Sequence, residues 1–87
     1  MAGNNIAFAL GLAQKAGKAA SGDFAVRAAL KSGQVQLLLV AADAAPNSKK
    51  DMHYLAEVME VPVLEALTRA ELGHAIGKAQ RTAVAIL

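Results

Sequence analysis

Apolar residues recur along this chain at two spacings, one helical and one continuous. Ile6, Leu10 and Ala13 lie three or four residues apart, and Ala9, Leu12 and Ala16 widen the arc. This pattern predicts a helix to about Ala16, capped by Asn4 or Asn5 and stopped by Gly17. Lys18-Ala19-Ala20 is then a short extended link and a strand candidate. Ser21-Gly22-Asp23 opens a second helix that runs to Ser32, with Lys31 in its last turn and Gly33 as terminator. Val35 to Ala41 contains the unbroken run Leu37-Leu38-Leu39-Val40. A short continuous apolar run suits a strand covered on both faces, so Leu37–Ala41 is expected at the centre of a sheet.

Asp43 to Asn47, with Pro46, reads as a loop. Asn47 or Ser48 can cap a third helix, with Asp51 in the capping-box position relative to Ser48. Met52, Leu55, Ala56 and Met59 recur at helical spacing within it. Val61 to Leu64 reads as a strand, with Pro62 at its start or on an edge. Thr68-Arg69-Ala70-Glu71 is a capping box for a fourth helix ending at Gly77, and Thr82 to Leu87 is a last strand. Helices and strands therefore alternate, which implies an α/β fold: a three-layer α/β/α sandwich with a small sheet.

With 87 residues, the chain is expected to form a single domain over 1–87. The hydrophobic fraction of 55% against 18% charged residues excludes a disordered chain. Aromatics make up only 3% (Phe8, Phe24 and Tyr54), too few for a nucleic-acid surface built mainly on stacking. There is no cysteine, which excludes disulfides, thiolate metal sites and cysteine nucleophiles. A formal charge of +2 permits an anionic partner without requiring one. The longest apolar runs, Ile6–Leu10 and Leu37–Ala42, fall far short of the ~20 residues of a membrane span. Met1-Ala2-Gly3-Asn4-Asn5 lacks the positive charge of a signal peptide, so a cytoplasmic protein without a membrane partner is expected.

No catalytic constellation is visible. His53 and His74 stand singly on predicted helices, whereas a metal site needs three or four convergent ligands. Ser21, Ser32 and Ser48 sit at helix boundaries, where capping accounts for them. The glycines form neither a dinucleotide fingerprint nor a Walker loop. For Gly73 and Gly77 a packing contact and a helix end suffice. The expectation is no enzymatic activity, no metal, no cofactor and no small-molecule substrate.

The second helix carries the one suggestive edge. On a helical wheel with Phe24 at zero, Val26, Ala29 and Leu30 fall at roughly 140–240° and form the core face. Arg27 and Lys31 fall at roughly 300–340°, beside Phe24 and Ala28. The helix start has free backbone N–H groups that attract phosphate, and Gly22 allows close approach. Lys15 and Lys18 precede it. A solvated surface with an Asp23–Arg27 pair at i,i+4 explains the same residues without a ligand.

Ala16-Gly17-Lys18-Ala19-Ala20-Ser21-Gly22, Lys31-Ser32-Gly33, Leu38-Leu39-Val40-Ala41-Ala42-Asp43, Glu71-Leu72-Gly73-His74-Ala75-Ile76-Gly77-Lys78 and Arg81 stand in a familiar order and spacing. Together they resemble the ribosomal protein L-seven-Ae / L-thirty-e superfamily, most closely its bacterial YlxQ branch, from about Ala7 to Leu87. The resemblance implies an α/β/α sandwich that binds structured, ribosomal-type RNA, typically at a kink-turn. It implies contacts from the start of the second helix, beginning at Gly22, and from the loop before the last strand, Gly77 through Arg81. On these grounds the RNA-binding residues are expected to be Lys18, Gly22, Asp23, Phe24, Arg27, Lys31, Lys78 and Arg81, with Lys49 and Lys50 next in line. Kink-turn readers of this superfamily carry Asn, Glu and Lys at the second, third and sixth positions after the glycine. Here those positions hold Phe24, Ala25 and Ala28, which offer no polar group to a base edge. Phe24 could stack on an extruded base, or Phe24–Ala28 could form an apolar face for a protein partner.

Overall fold

The structure, a computed structural model, describes residues 2–87, with side chains from Asn5 onward. Its elements are α1 (Ala2–Lys15), β1 (Ala19–Ser21), α2 (Asp23–Ser32), β2 (Leu37–Val40), α3 (Pro46–Val58), β3 (Val63–Glu65), α4 (Arg69–Ala75) and β4 (Ala83–Ile86). The four strands form one mixed sheet in the order β1-β4-β2-β3. β4 runs antiparallel to both β1 and β2, and β2 pairs with β3 in parallel. Helices α1 and α4 pack together on one side, and α2 and α3 on the other. This is the expected three-layer α/β/α sandwich.

Register assigns the faces. Leu38 lies opposite Ala85, and Leu39 opposite Val84. Leu38, Leu39 and Val40 are all buried, so β2 is covered on both sides as its unbroken apolar run requires. Val26 and Leu30 of α2, Met52 and Ala56 of α3, Leu10 of α1 and Leu72 of α4 complete the core. The core face expected for α2 is therefore the observed one.

Several boundaries depart from expectation. α1 begins at Ala2, so Asn4 and Asn5 lie within its first two turns; a cap from the Asn4 side chain falls outside the described side chains. Ala9, Leu12 and Ala16 are exposed, so the arc they widen is not the buried one. α3 begins at Pro46, with Ala45 as N-cap and no side-chain cap from Asn47 or Ser48. Proline fits there because its missing N–H is one that a helix start cannot satisfy. The capping box of α4 is present as expected: Thr68 Oγ1 accepts from the Glu71 N–H at 3.1 Å, and the Thr68 N–H donates to Glu71 Oε1 at 2.8 Å. No described helix is long and apolar enough to cross a membrane.

Candidate nucleic-acid interface

The pairing of β1 with β4 places Ser21 opposite Val84. The turn into α2 and the loop into β4 thus leave the same end of the sheet. Gly22 makes the first turn with φ 91° and ψ 151°, a region essentially reserved for glycine. It is the N-cap of α2 and supplies no side chain there, so the first N–H groups of the helix stay open to a ligand.

The loop of residues 76–82 is shaped by its own backbone. A Cβ on Gly73 would lie 1.9 Å from the Ala79 carbonyl oxygen, so only glycine lets the loop fold back onto α4. The Lys78 N–H donates to the Gly73 carbonyl at 2.8 Å, and the Arg81 N–H to the Arg69 carbonyl at 3.1 Å. Asp43 holds the start of α4, accepting from the Arg69 N–H at 2.7 Å.

Arg81 is fixed within this frame. Its Nη1 donates to the carbonyls of Ala79 (3.2 Å) and Gln80 (2.9 Å), and its Nε to Ser21 Oγ at 3.4 Å. Among the described residues no carboxylate pairs with it. The guanidinium therefore keeps its charge uncompensated and its orientation set, which suits bidentate binding of phosphate. Beside it opens a groove of about 490 Å³ lined by Ser21, Gly22, Asp23, Ser48, Met52, Gln80, Arg81, Thr82 and Ala83. Ser48 comes from the first turn of α3, whose N-cap Ala45 likewise has no side-chain cap. The open start of α2, Ser48 of α3 and an arginine without a carboxylate partner among the described residues therefore line one cleft together with Asp23, and the helix start and guanidinium offer donors to an anion there.

The expected site residues divide between this groove and other places. Gly22, Asp23 and Arg81 line it. Lys78 is exposed in the loop that carries Arg81. Phe24 is 87% exposed next to the groove. Arg27 is not in the lining and is already paired: its Nε donates to Asp23 Oδ2 at 2.9 Å, and its Nη2 lies 3.6 Å from Asp51 Oδ2. The Asp23 hydrogen bond holds the Arg27 pKa above its ordinary value. Its charge is compensated, and it joins α2 to α3. Lys18 and Lys31 lie ~12 Å or more from Gly22, one across the length of β1 and the other along two turns of helix. Lys49 pairs with Glu65 at 3.2 Å, which occupies it at the edge of the sheet. Gln80 falls within the loop Gly77 through Arg81 that the resemblance implies, whereas nothing in the local pattern of Ser48 and Thr82 marks them as groove residues, because only the packing of α3 and the folded-back loop brings them there.

The fold, the glycine-led turn and the arginine-bearing loop define the class. Residues 4–87 match the Ribosomal protein L7Ae/L30e/S12e/Gadd45 family, and the chain belongs to it. As a member of this family it is not an enzyme. Among its relatives, the RNA-binding protein YlxQ of Bacillus subtilis (strain 168) is 35% identical over 77 residues, covering 88% of this chain and 77% of that one. The RNA-binding protein YlxQ of Enterococcus faecium is 33% identical over 72 residues, covering 83% and 70%. A solved structure, a protein with unknown function from Bacillus halodurans C, superposes with a TM-score of 0.83 at 34% identity, covering 88% of this chain and 78% of that one. The resemblance drawn from the sequence motifs is thereby established.

Proposed function

We propose that this protein binds structured RNA, with ribosomal RNA as the target class, through the groove between the start of α2 and the loop before β4. Arg81 is the phosphate anchor. The observation that carries this reading is the bond from Arg81 Nε to Ser21 Oγ, which sets an uncompensated guanidinium beside the open start of α2. Two relatives named as RNA-binding proteins support it. Phe24, Ala25 and Ala28 carry no polar groups for base edges, so recognition rests on phosphate contact and RNA shape. The test is a titration against structured ribosomal RNA fragments at two salt concentrations. Affinity that falls steeply with salt is expected; no binding even at low salt overturns the proposal.

A second reading is favoured by one observation, the 87% exposure of Phe24 beside Ala25 and Ala28. In that reading the face docks a protein partner. Phe24→Lys separates the two. Loss of a protein complex with RNA binding intact supports docking, whereas weakened RNA binding with assembly unchanged supports stacking on a base.

A further inference from the structure

The sheet has a second basic end, remote from the groove. Lys15 closes the last turn of α1, Lys18 stands just before β1, and Lys31 closes the last turn of α2. The register brings these positions to one end of the sheet, Lys15 on the layer of α1, Lys31 on the layer of α2 and Lys18 at the strand between them. Ala19 pairs with Ile86, Leu37 pairs with Ile86, and the Leu87 N–H donates to the Lys18 carbonyl at 2.8 Å. All three lysines are exposed, and among the described residues none makes an ion pair. Glu57 and Glu60 are the acids that lie toward this end of the sheet. They precede β3, three strands from β1 and so about 14 Å from Lys18 at ~4.8 Å per strand, while α3, whose last turn carries Glu57, packs beside α2, whose last turn carries Lys31.

The C-terminal turns of helices attract cations, which accounts for Lys15 and Lys31 taken singly. It does not account for Lys18, nor for three exposed like charges at one end of the sheet that make no ion pair among the described residues. A carboxylate at Leu87 would offset one charge and leave two. The outward face of α2 joins this end to the groove. Phe24, Ala28 and Lys31 lie within roughly 60° of one another on the helical wheel, and all three are exposed.

We propose that Lys15, Lys18 and Lys31 form a second contact for RNA backbone at the opposite end of the sheet, so that an RNA arm leaving the groove runs along α2 and is held at both ends. The inference rests on the RNA-binding reading of the groove. It adds a requirement for length: the second contact lies about 13 Å from Gly22, four extended residues away at Lys18 and nine helical residues away at Lys31. It engages only an RNA whose arm reaches that far.

The probes are two versions of one internal-loop hairpin from ribosomal RNA, one short-armed and one with an arm longer by about ten base pairs. Wild type, Arg81→Ala and the triple variant Lys15→Gln/Lys18→Gln/Lys31→Gln are titrated against both over a range of salt, with circular dichroism as the folding control. The triple variant should lose about two to three from the salt slope on the long arm and nothing on the short one. Arg81→Ala should weaken both. A triple variant that matches wild type on the long arm overturns the second contact while leaving the groove in place. Arg81→Ala matching wild type on both RNAs overturns the groove instead. Wild type binding neither RNA overturns both.

Discussion

Arg81 and Ser21, sixty residues apart, meet through Nε and Oγ at 3.4 Å. This contact ties the loop before β4 to the end of β1, and it presents a guanidinium whose remaining donors are not claimed by any carboxylate among the described residues. Arg81→Ala is expected to weaken RNA binding and to lower its salt slope by about one, with the fold unchanged. Arg81→Lys should recover charge but not the bidentate geometry, and so only part of the affinity. Filter binding at several salt concentrations, with thermal melts alongside, reads both effects.

Gly73 sets the path of the same loop without touching a ligand. The 1.9 Å approach between a Cβ built there and the Ala79 carbonyl oxygen leaves no room for a methyl group. Gly73→Ala should force the loop off α4, destabilising the protein by about 1–3 kcal/mol. RNA affinity should fall with it, because Arg81 takes its position from the loop. Urea unfolding together with an RNA titration checks the pair of effects. An Ala variant with unchanged unfolding midpoint and unchanged affinity would show that the loop adjusts freely.

Much of this fold is legible in the sequence because its signals are local. The run Leu37-Leu38-Leu39-Val40 marks a strand covered on both sides, Thr68 with Glu71 marks a helix start, and Gly33 marks a helix end. The start of α3 departs from its local signal: Asn47 and Ser48 are good capping residues, yet Pro46 takes the first helical position and moves the cap to Ala45. The site was less legible. Glycine and arginine positions announce the groove through family resemblance, but Arg27 is also paired with Asp51 of another helix. No spacing along one helix reports such a contact. The burial of Leu38 and the exposure of Leu12 differ for a similar reason: both are apolar, and only sheet and helix packing decides which is covered.

Leu38 pairs with Ala85 on one side and Val63 on the other, and it is fully buried. Leu38→Asp places an unpaired charge there, at a cost of several kcal/mol against a total stability of about 5–15 kcal/mol. The variant should be unfolded at room temperature by circular dichroism. A cooperative melt at the wild-type temperature would contradict the central position of β2.

Glu65 at the end of β3 accepts a hydrogen bond from His53 Nε2 and pairs with Lys49 at 3.2 Å, which ties the edge strand to α3. The His53 bond, then the Lys49 bond, hold its carboxyl below the ordinary carboxylate range. A depressed native pKa means that the unfolded chain takes up the proton first on acidification. The stabilisation is therefore complete above the ordinary carboxylate value and is lost as pH falls through the lower native one. Because the pair is exposed to solvent, the effect should be small and salt-sensitive. Urea midpoints of wild type and Glu65→Gln should differ at neutral pH and converge in acid. A difference that grows on acidification would reverse the sign and rule out this cause.

Arg27 shares an end of the molecule with Arg81 but not its circumstances. Family resemblance and the helical wheel both place it on the outward side of α2, where it could meet phosphate. Its guanidinium is nevertheless engaged by Asp23 at 2.9 Å and by Asp51 at 3.6 Å. Both carboxylates are themselves well exposed, so the pairing contributes on the order of 0.2–1 kcal/mol or less. Binding RNA through Arg27 would require breaking these bonds and would leave two acids facing the RNA backbone. Arg27→Ala should therefore soften the α2–α3 contact slightly and leave the salt slope of RNA binding at its wild-type value. The double variant Arg27→Ala/Arg81→Ala should show the slope of Arg81→Ala alone. A slope lower by about two in the double variant would instead make both arginines phosphate ligands, with Asp23 and Asp51 as partners that release Arg27 when RNA arrives.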